Sequence, residues 1–492
     1  MSVAKQKLCH LLLDEVFGSR VAKVGRHLAK WEKCFLADLY QLDQPHECLG
    51  VLINHGLVTY GRDPRPTPGV QYEISLDQVI QTIRYPRYLY LIKALHGDNA
   101  ELILEEVLRR GQETLPKIME KSLNRIELDE NLAKTHKQDL EKTFQTLVKE
   151  HFLQRAPHVG TNPEVPGSTV PILDETTRFH VPESIESCSS IYWCLNVDRF
   201  HVEFRNKILV STVTRRIDET AGKLMEFILS LSGKKLEASS RHISITEIYA
   251  NINKCIDLKL RQYKDHYLKV LEEDRTRFID RVGDEGGGTY VVNFKHIFTV
   301  LGSAVVENVV QEKFNSKALR IFRVVRDKLY VEESQIQKLV MIPARETKLM
   351  TYQLLENNFI QVQELRKSLS ANVVAKSFYL FHVDLNQVAR MVQEMCYMSL
   401  SNAIIRKNHE LQINARLLEK QDRIDSITSN INASEEFVSE EERTQQLEEV
   451  QDMLSPAEHD LVKQIRRCGD KLHSSLAQVD ETLLVLELFL KL

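Results

Sequence analysis

A mainly α chain with small β-hairpins, arranged as four tandem winged-helix domains followed by a C-terminal coiled-coil helical hairpin, is the fold class this sequence predicts. Three observations predict it. The first is a seven-residue cassette, Leu354-Leu355-Glu356-Asn357-Asn358-Phe359-Ile360. An apolar pair ends an amphipathic helix, an Asn that tolerates positive φ closes it, and a second apolar pair opens a strand. The same grammar occurs at 52–58 with Gly56 at the cap, and less well formed at 147–153, which marks a repeated module. The second observation is that a turn-rich segment and a short returning strand follow each cassette. The third is a pair of long segments, Val388 to Ile431 and Pro456 to Leu490, in which apolar residues recur without turn formers.

Residues 1–84 read as three helices and a hairpin. Leu8, Leu11, Leu12 and Phe17 mark the first helix, and Val21, Val24 and Leu28 continue its spacing beyond Gly18. Phe35 to Tyr40 give a short second helix, and Pro45 suits the first turn of a third that runs to His55. Leu57 to Tyr60, the turn formers of 61–69 and Val70 to Ile74 complete a winged helix. A second winged helix spans 85–195, with helices at 89–95, 100–109, 115–123 and 137–150 and a return strand at 191–195. Its segment 156–190 holds five prolines and few large apolar residues, and reads as a long flexible wing or insertion. The third unit, 196–315, opens with one helix over 197–230. Cys255 to Leu271 is its candidate recognition helix, and the turn 283–288 leads to a strand Tyr290 to Phe294. The fourth, 316–385, has helices at 316–328, 331–339 and 343–357, and a hairpin whose wing carries Arg366, Lys367 and Lys376.

The remainder, 386–492, differs in kind. Leu461, Ile465, Leu472, Leu476, Val479, Leu483, Leu486 and Leu490 alternate in threes and fours, a heptad seam that needs a partner. Ser455-Pro456 gives it an N-cap followed by proline at N1. An acidic stretch, Glu435 to Asp452, separates the two arms, which fold back as an antiparallel hairpin projecting from the fourth unit or lying against it. These eight apolar residues are the candidate partner interface. Aspartate at Leu476 or Leu483 is expected to release the protein from its complex with the winged helices still folded.

Composition bounds the function. Hydrophobic content of 43% and charged content of 27% in 492 residues fit several globular domains. The first residues read as an amphipathic helix, not a signal peptide, and no apolar run is long enough for a membrane span. The eight cysteines form no CxxC pair, and the 17 histidines form no HExxH. No catalytic residue, metal ligand or cofactor site is therefore assigned. A net charge of −4 restricts nucleic-acid contact to local patches. Gly286 to Gly288 lack the GK[ST] ending and precede a strand, so they read as a wing turn. Arg320, Arg323, Arg326 and Lys328 read as a solvated helix face. Arg345 and Lys348, near the start of the fourth recognition helix, are candidates for phosphate contact together with Arg366 and Lys367 on the wing. Arg84 and Arg87 alternate with Tyr85 and Tyr88 as in single-strand binding surfaces. They stay candidates for that role, although residues at a domain junction more often pack locally.

Taken whole, the chain resembles the third-largest, winged-helix subunit of eukaryotic RNA polymerase III, which is similar to the large subunit of general transcription factor IIE. The resemblance rests on KLCHLLLDEVFG (7–18), VLINHGLV (51–58), IRYPRYLY (83–90), IYWCLNVDRFH (191–201), GGGTYVVN (286–293), IFRVV (321–325) and MIPARETKLMTYQLLENNFIQVQE (341–364). ARLLEKQDRIDSI (415–427) and QVDETLLVLE (478–487) match as well. It implies a noncatalytic nuclear subunit that joins two others in a heterotrimer on the clamp of the largest polymerase subunit. It further implies recruitment to a promoter-bound initiation factor, help in opening DNA, and single-stranded DNA binding. Some family members carry a longer, basic segment where 156–190 lies, so a role of that segment is not carried over. Two other classes stand beside this one: a proteasome-lid or translation-initiation scaffold, which a helix-only N-terminal half would favour, and a freestanding DNA-binding regulator.

Overall fold

The computed structural model describes residues 2–31, 33–62, 69–125, 130–157, 173–182, 190–254, 258–283, 288–367, 376–433, 450 and 454–492. In the first unit α1 (Val3–Phe17) turns at Gly18, whose φ is 85°, into α2 (Ser19–Trp31). Then come β1 (Lys33–Phe35), α3 (Leu36–Leu39), α4 (Pro45–Asn54), β2 (Val58–Arg62) and β3 (Val70–Ile74). Strand β1 is absent from the sequence reading because three residues carry no usable alternation. It pairs antiparallel with β3, giving the order β1-β3-β2.

α5 (Leu76–Gln81) and a 3-10 turn, Thr82–Arg84, lead into the second unit. It contains α6 (Tyr85–His96), α7 (Asp98–Arg110), β4 (Gln112–Thr114), α8 (Leu115–Asn124), α9 (Glu130–Lys149), β5 (Leu153–Arg155), α10 (Glu175–Arg178) and β6 (Tyr192–Leu195). Its sheet repeats the pattern as β4-β6-β5. Part of the segment expected to be flexible is tied down. Arg155 Nε donates to the His180 carbonyl at 2.8 Å and Arg178 Nε to Gln154 Oε1 at 2.7 Å. Residues 158–172 and 183–189 lie outside the described residues.

The third unit corrects two expectations. The single helix expected over 197–230 is two, α11 (Val197–Arg216) and α12 (Glu219–Leu231). Asp218 breaks it: its carboxylate accepts the Ala221 N–H at 2.7 Å as an N-cap, and Ile217 leaves helical geometry. Both helices bury apolar faces, so the spacing runs on across the break. After β7 (Ile243–Ser244), α13 (Ile245–Lys254), α14 (Leu258–Glu273), β8 (Asp280–Gly283) and β9 (Thr289–Val291) comes the second correction. Phe294, expected to end a strand, starts α15 (Phe294–Lys313), capped by Asn293 Oδ1 accepting the His296 N–H at 3.2 Å.

The fourth unit has α16 (Ser316–Lys328), α17 (Glu333–Val340), α18 (Ala344–Glu356), β10 (Gln361–Lys367) and β11 (Lys376–His382). The third strand shrinks here to one bridge: Val331 and Phe381 exchange backbone hydrogen bonds of 3.0 and 2.8 Å.

The cassettes close as their residues require. Gly56, His151 and Asn358 have φ of 68°, 67° and 59°. The following residue's N–H reaches back to Leu52, Leu147 or Leu354 O, at 2.9 Å in each case, which is the Schellman closure. The longer third version uses Arg277, with φ 44°. In all four units the apolar pair after the cap is buried: Leu57/Val58, Phe152/Leu153, Phe278/Ile279 and Phe359/Ile360.

The chain ends in α19 (Leu385–Ile413), α20 (Ala415–Ala433) and α21 (Pro456–Lys491). Ser455 and Glu458 form a reciprocal capping box at the start of α21. The core falls into two large clusters, one joining the first and fourth units, the other the second and third. α21 enters both. Leu483 and Leu486 belong to the first, Leu484 and Leu488 to the second, and all four are at most 2% exposed. The helix expected to lie against the fourth unit is therefore wedged among all four.

Candidate partner and nucleic-acid interfaces

The heptad seam of α21 divides into two halves. Leu476, Val479, Leu483, Leu486 and Leu490 pack into the core of the first and fourth units. They cannot also receive another subunit, so release from a complex by aspartate at Leu483 with the fold intact is not what this geometry gives. Leu461, by contrast, is 42% exposed, and Ile465 and Leu472 are half-buried. Around them, among the described residues, a small cluster of Ile424, Val450 and Leu454 joins the distal arms. Lys420 meets Glu458 at 3.0 Å, and Arg466 meets Asp425 at 3.6 Å on the surface.

Arg84 and Arg87 are drawn inward by the proximal half of the same helix. Arg84 is fully buried; its Nε donates to Asp480 Oδ1 at 2.8 Å and its Nη1 to Glu487 Oε2 at 2.9 Å. Arg87 donates to Asp480 Oδ2 at 2.7 Å and Glu481 Oε1 at 3.2 Å, and stands 4.9 Å from the Phe204 ring centroid. Burial works against the Arg84 charge, but Glu487 and Asp480 more than offset it and hold the guanidinium above its ordinary pKa. Nearby, burial, then Arg84 and Lys491, keep His201 neutral, with its pKa down at about 3. Its Nε2 lies 3.3 Å from the Tyr88 hydroxyl and 3.4 Å from Arg84 Nη1. Since the guanidinium only donates, Nε2 accepts and the proton sits on Nδ1. The expectation of nucleic-acid contact fails for Arg84: this cluster is an internal clasp between a domain junction and the C-terminal helix. Sequence reasoning missed its acidic half. The available signal was Glu487, alone in the otherwise apolar run Leu483 to Leu490, with Asp480 two turns before it.

Arg345 and Lys348 stand exposed on the first turns of α18. They share a shallow cleft with Glu332 and Glu333, and the neighbouring Glu346 pairs with Lys317 at 2.6 Å. Arg366 and Lys367 end β10, where Lys367 faces Lys376 across the ladder; their side chains lie outside the described residues. On α16, Arg323 and Arg326 both pair with Glu307, and Arg326 also reaches Ser303 Oγ at 2.7 Å. That face is thus engaged with α15. Among the described residues no three His, Cys, Asp or Glu side chains converge as a metal site requires, and no helix is long and apolar enough to cross a membrane.

Three family models match the chain: RNA polymerase III subunit RPC82 over residues 183–301, the C-terminal winged-helix domain of POLR3C over 306–383, and the helical hairpin domain of DNA-directed RNA polymerase III subunit RPC3 over 416–485. Human DNA-directed RNA polymerase III subunit RPC3 is 33% identical, covering 100% of this chain and 99% of its own length. The rat protein of the same name is 34% identical over the same shares. The Dictyostelium discoideum subunit is 26% identical over 48% of this chain and 38% of its own length.

Proposed function

This chain belongs to the RPC3 family of DNA-directed RNA polymerase III subunits, and from that premise we propose that it acts in transcription initiation as a noncatalytic subunit. It works in the nucleus within a heterotrimer seated on the clamp of the largest polymerase subunit. There it helps bring the enzyme to a promoter-bound initiation factor and holds single-stranded DNA as the duplex opens. The observation that supports this reading most is the uncovered apolar surface of the distal hairpin. Leu411, Ile413, Ile427 and Leu461 are 45, 64, 40 and 42% exposed, and the opposite ends of α19 and α21 are packed into the two large cores. A surface of this kind suits a subunit held by neighbours. Sheets β1-β3-β2 and β4-β6-β5 occupy the N-terminal half, which removes the helical-repeat scaffold as an alternative.

Tagged protein purified from nuclear extract is expected to bring the other polymerase III subunits with it. Ile413→Asp with Leu461→Asp is expected to lose them at an unchanged melting temperature. A monodisperse protein that retains no polymerase subunit contradicts the reading. For DNA, reversing Arg345, Lys348, Arg366 and Lys367 together is expected to weaken oligothymidylate binding and flatten its salt dependence. An unchanged salt slope removes these four from the interface.

A further inference from the structure

A cleft of about 620 Å³ opens where the second unit's wing meets the start of the third, beside the C-terminal end of α9. Arg178, Arg199, Lys234, Lys235 and Lys491 line it against one carboxylate, Asp198. In a chain of net charge −4 this is a local reversal of sign. Arg199 Nη2 lies 2.5 Å from Glu203 and Lys491 Nζ 3.5 Å from Asp198. Arg178 and Lys234 are held differently. Arg178 Nε donates to the Gln154 amide oxygen at 2.7 Å, and Lys234 Nζ to the Lys149 carbonyl at 3.1 Å. Neutral acceptors fix where a cation sits without cancelling its charge, so these two keep their field for a ligand.

The same wall carries an aromatic platform. His151, in the left-handed cap of the second cassette, lies flat against Phe179, with ring centroids 3.9 Å apart and an interplanar angle of 8°. Asn196 Nδ2 fixes the cassette beside it by donating to the His151 carbonyl at 2.8 Å. Cations at the rim suit phosphates and a flat ring pair suits a base; an acidic peptide would use the first and have no use for the second.

We propose that this cleft binds a short stretch of single-stranded nucleic acid, with Arg178, Lys234 and Lys235 on its phosphates and the His151–Phe179 pair under a base. The proposal rests on the reading that the protein holds opened DNA, and adds a second contact to the one expected of α18 and β10. The test is fluorescence anisotropy of a labelled oligothymidylate with the full chain across a salt series. Lys234→Glu/Lys235→Glu, Phe179→Ala and Arg345→Glu/Lys348→Glu are compared with wild type. Lys234 and Lys235 are exposed, so their reversal leaves the melting temperature unchanged.

The lysine pair is expected to weaken binding at least tenfold and to flatten the slope of log K against log salt by about 1.4, since each single-strand phosphate contributes about 0.7. Phe179→Ala is expected to weaken binding about fivefold or more with the slope preserved. Wild-type affinity and slope in both cleft variants, with loss only in Arg345→Glu/Lys348→Glu, would overturn the cleft and leave the wider reading standing. Absence of binding by wild type overturns both. Displacement of the strand by polyglutamate, with Phe179→Ala at wild-type affinity, reassigns the cleft to an acidic peptide and overturns the proposal.

Discussion

The two halves of α21 share one helix and one heptad rhythm, yet their surroundings are opposite. From Leu476 to Leu490 the seam is sealed by the first and fourth units, while Leu484 and Leu488 on another face are sealed by the second and third. From Pro456 to Leu472 the helix meets, among the described residues, α20 and the small cluster around Val450 and Leu454, and Leu461 stands open. Heptad spacing reports that a stripe is to be covered; it does not say by what. A second sign was present in the sequence. Between Leu483 and Leu490 seven of eight residues are apolar, so no polar face remains, as in a helix enclosed on all sides.

The largest expected effect separates the halves outright. Leu483→Asp puts a carboxylate where exposure is 0% and should cost more than about 4 kcal/mol, read as loss of the folded baseline in thermal or urea melts. Leu461→Asp should stay within about 0.5 kcal/mol of wild type and act on co-purification alone. If Leu483→Asp melts like wild type, the proximal half is not core.

Ion pairs give the next contrast. Asp480→Ala takes one of the two acids from the buried Arg84 charge, leaving Glu487, and is expected to cost about 3 kcal/mol. Combining Asp480→Leu and Glu487→Gln with Arg84→Met removes all three charges and should recover most of that loss. Asp425→Ala, at the exposed pair with Arg466, should cost under about 1 kcal/mol. Equal costs at the two sites would contradict the burial on which the comparison stands.

Acid should likewise reach the proximal clasp first. Folded His201 stays neutral down to about pH 3, against an ordinary value of 6.5, because of burial, then Arg84 and Lys491. Below 6.5 the unfolded chain binds a proton that the folded one refuses, so stability falls as pH drops from 6.5 towards 3. His201→Gln should flatten that limb of a stability–pH curve; an identical limb would show His201 uninvolved.

Two glycines give a last pair of effects, of opposite sign. A Cβ on Gly302 of α15 would lie 2.9 Å from Phe489 Cγ, so Gly302→Ala should destabilise by about 1–3 kcal/mol. Gly469, in the distal half, has nothing within 4 Å, and Gly469→Ala should stabilise by about 0.5–1 kcal/mol through helix propensity. Matching signs in chemical denaturation would place both glycines in similar surroundings.

The repeating module was legible because its signals are local. Gly56 and Asn358 announce a left-handed cap, and the apolar pair after each announces a buried strand start. Residues 33–35, 112–114 and 243–244 were not, since strands of two or three residues have no period to read. Asp218 hid a helix break because α11 and α12 face related parts of one core. Arg84 was misplaced for a different reason. Its partners Asp480 and Glu487 lie about 400 positions away, as the sequence separations of 396 and 403 show, and no local pattern reports such a pairing. The cleft around Phe179 assembles residues from three units, which places it beyond any linear motif.

Amide hydrogen exchange along α21 tests the division of this helix most directly. In the isolated protein, amides from Leu476 to Leu490 should exchange only with global unfolding, while those from Leu461 to Leu472 exchange through local opening and slow once the polymerase is assembled. Uniform protection of both halves in the isolated chain, or no slowing of the distal half on assembly, would contradict the account.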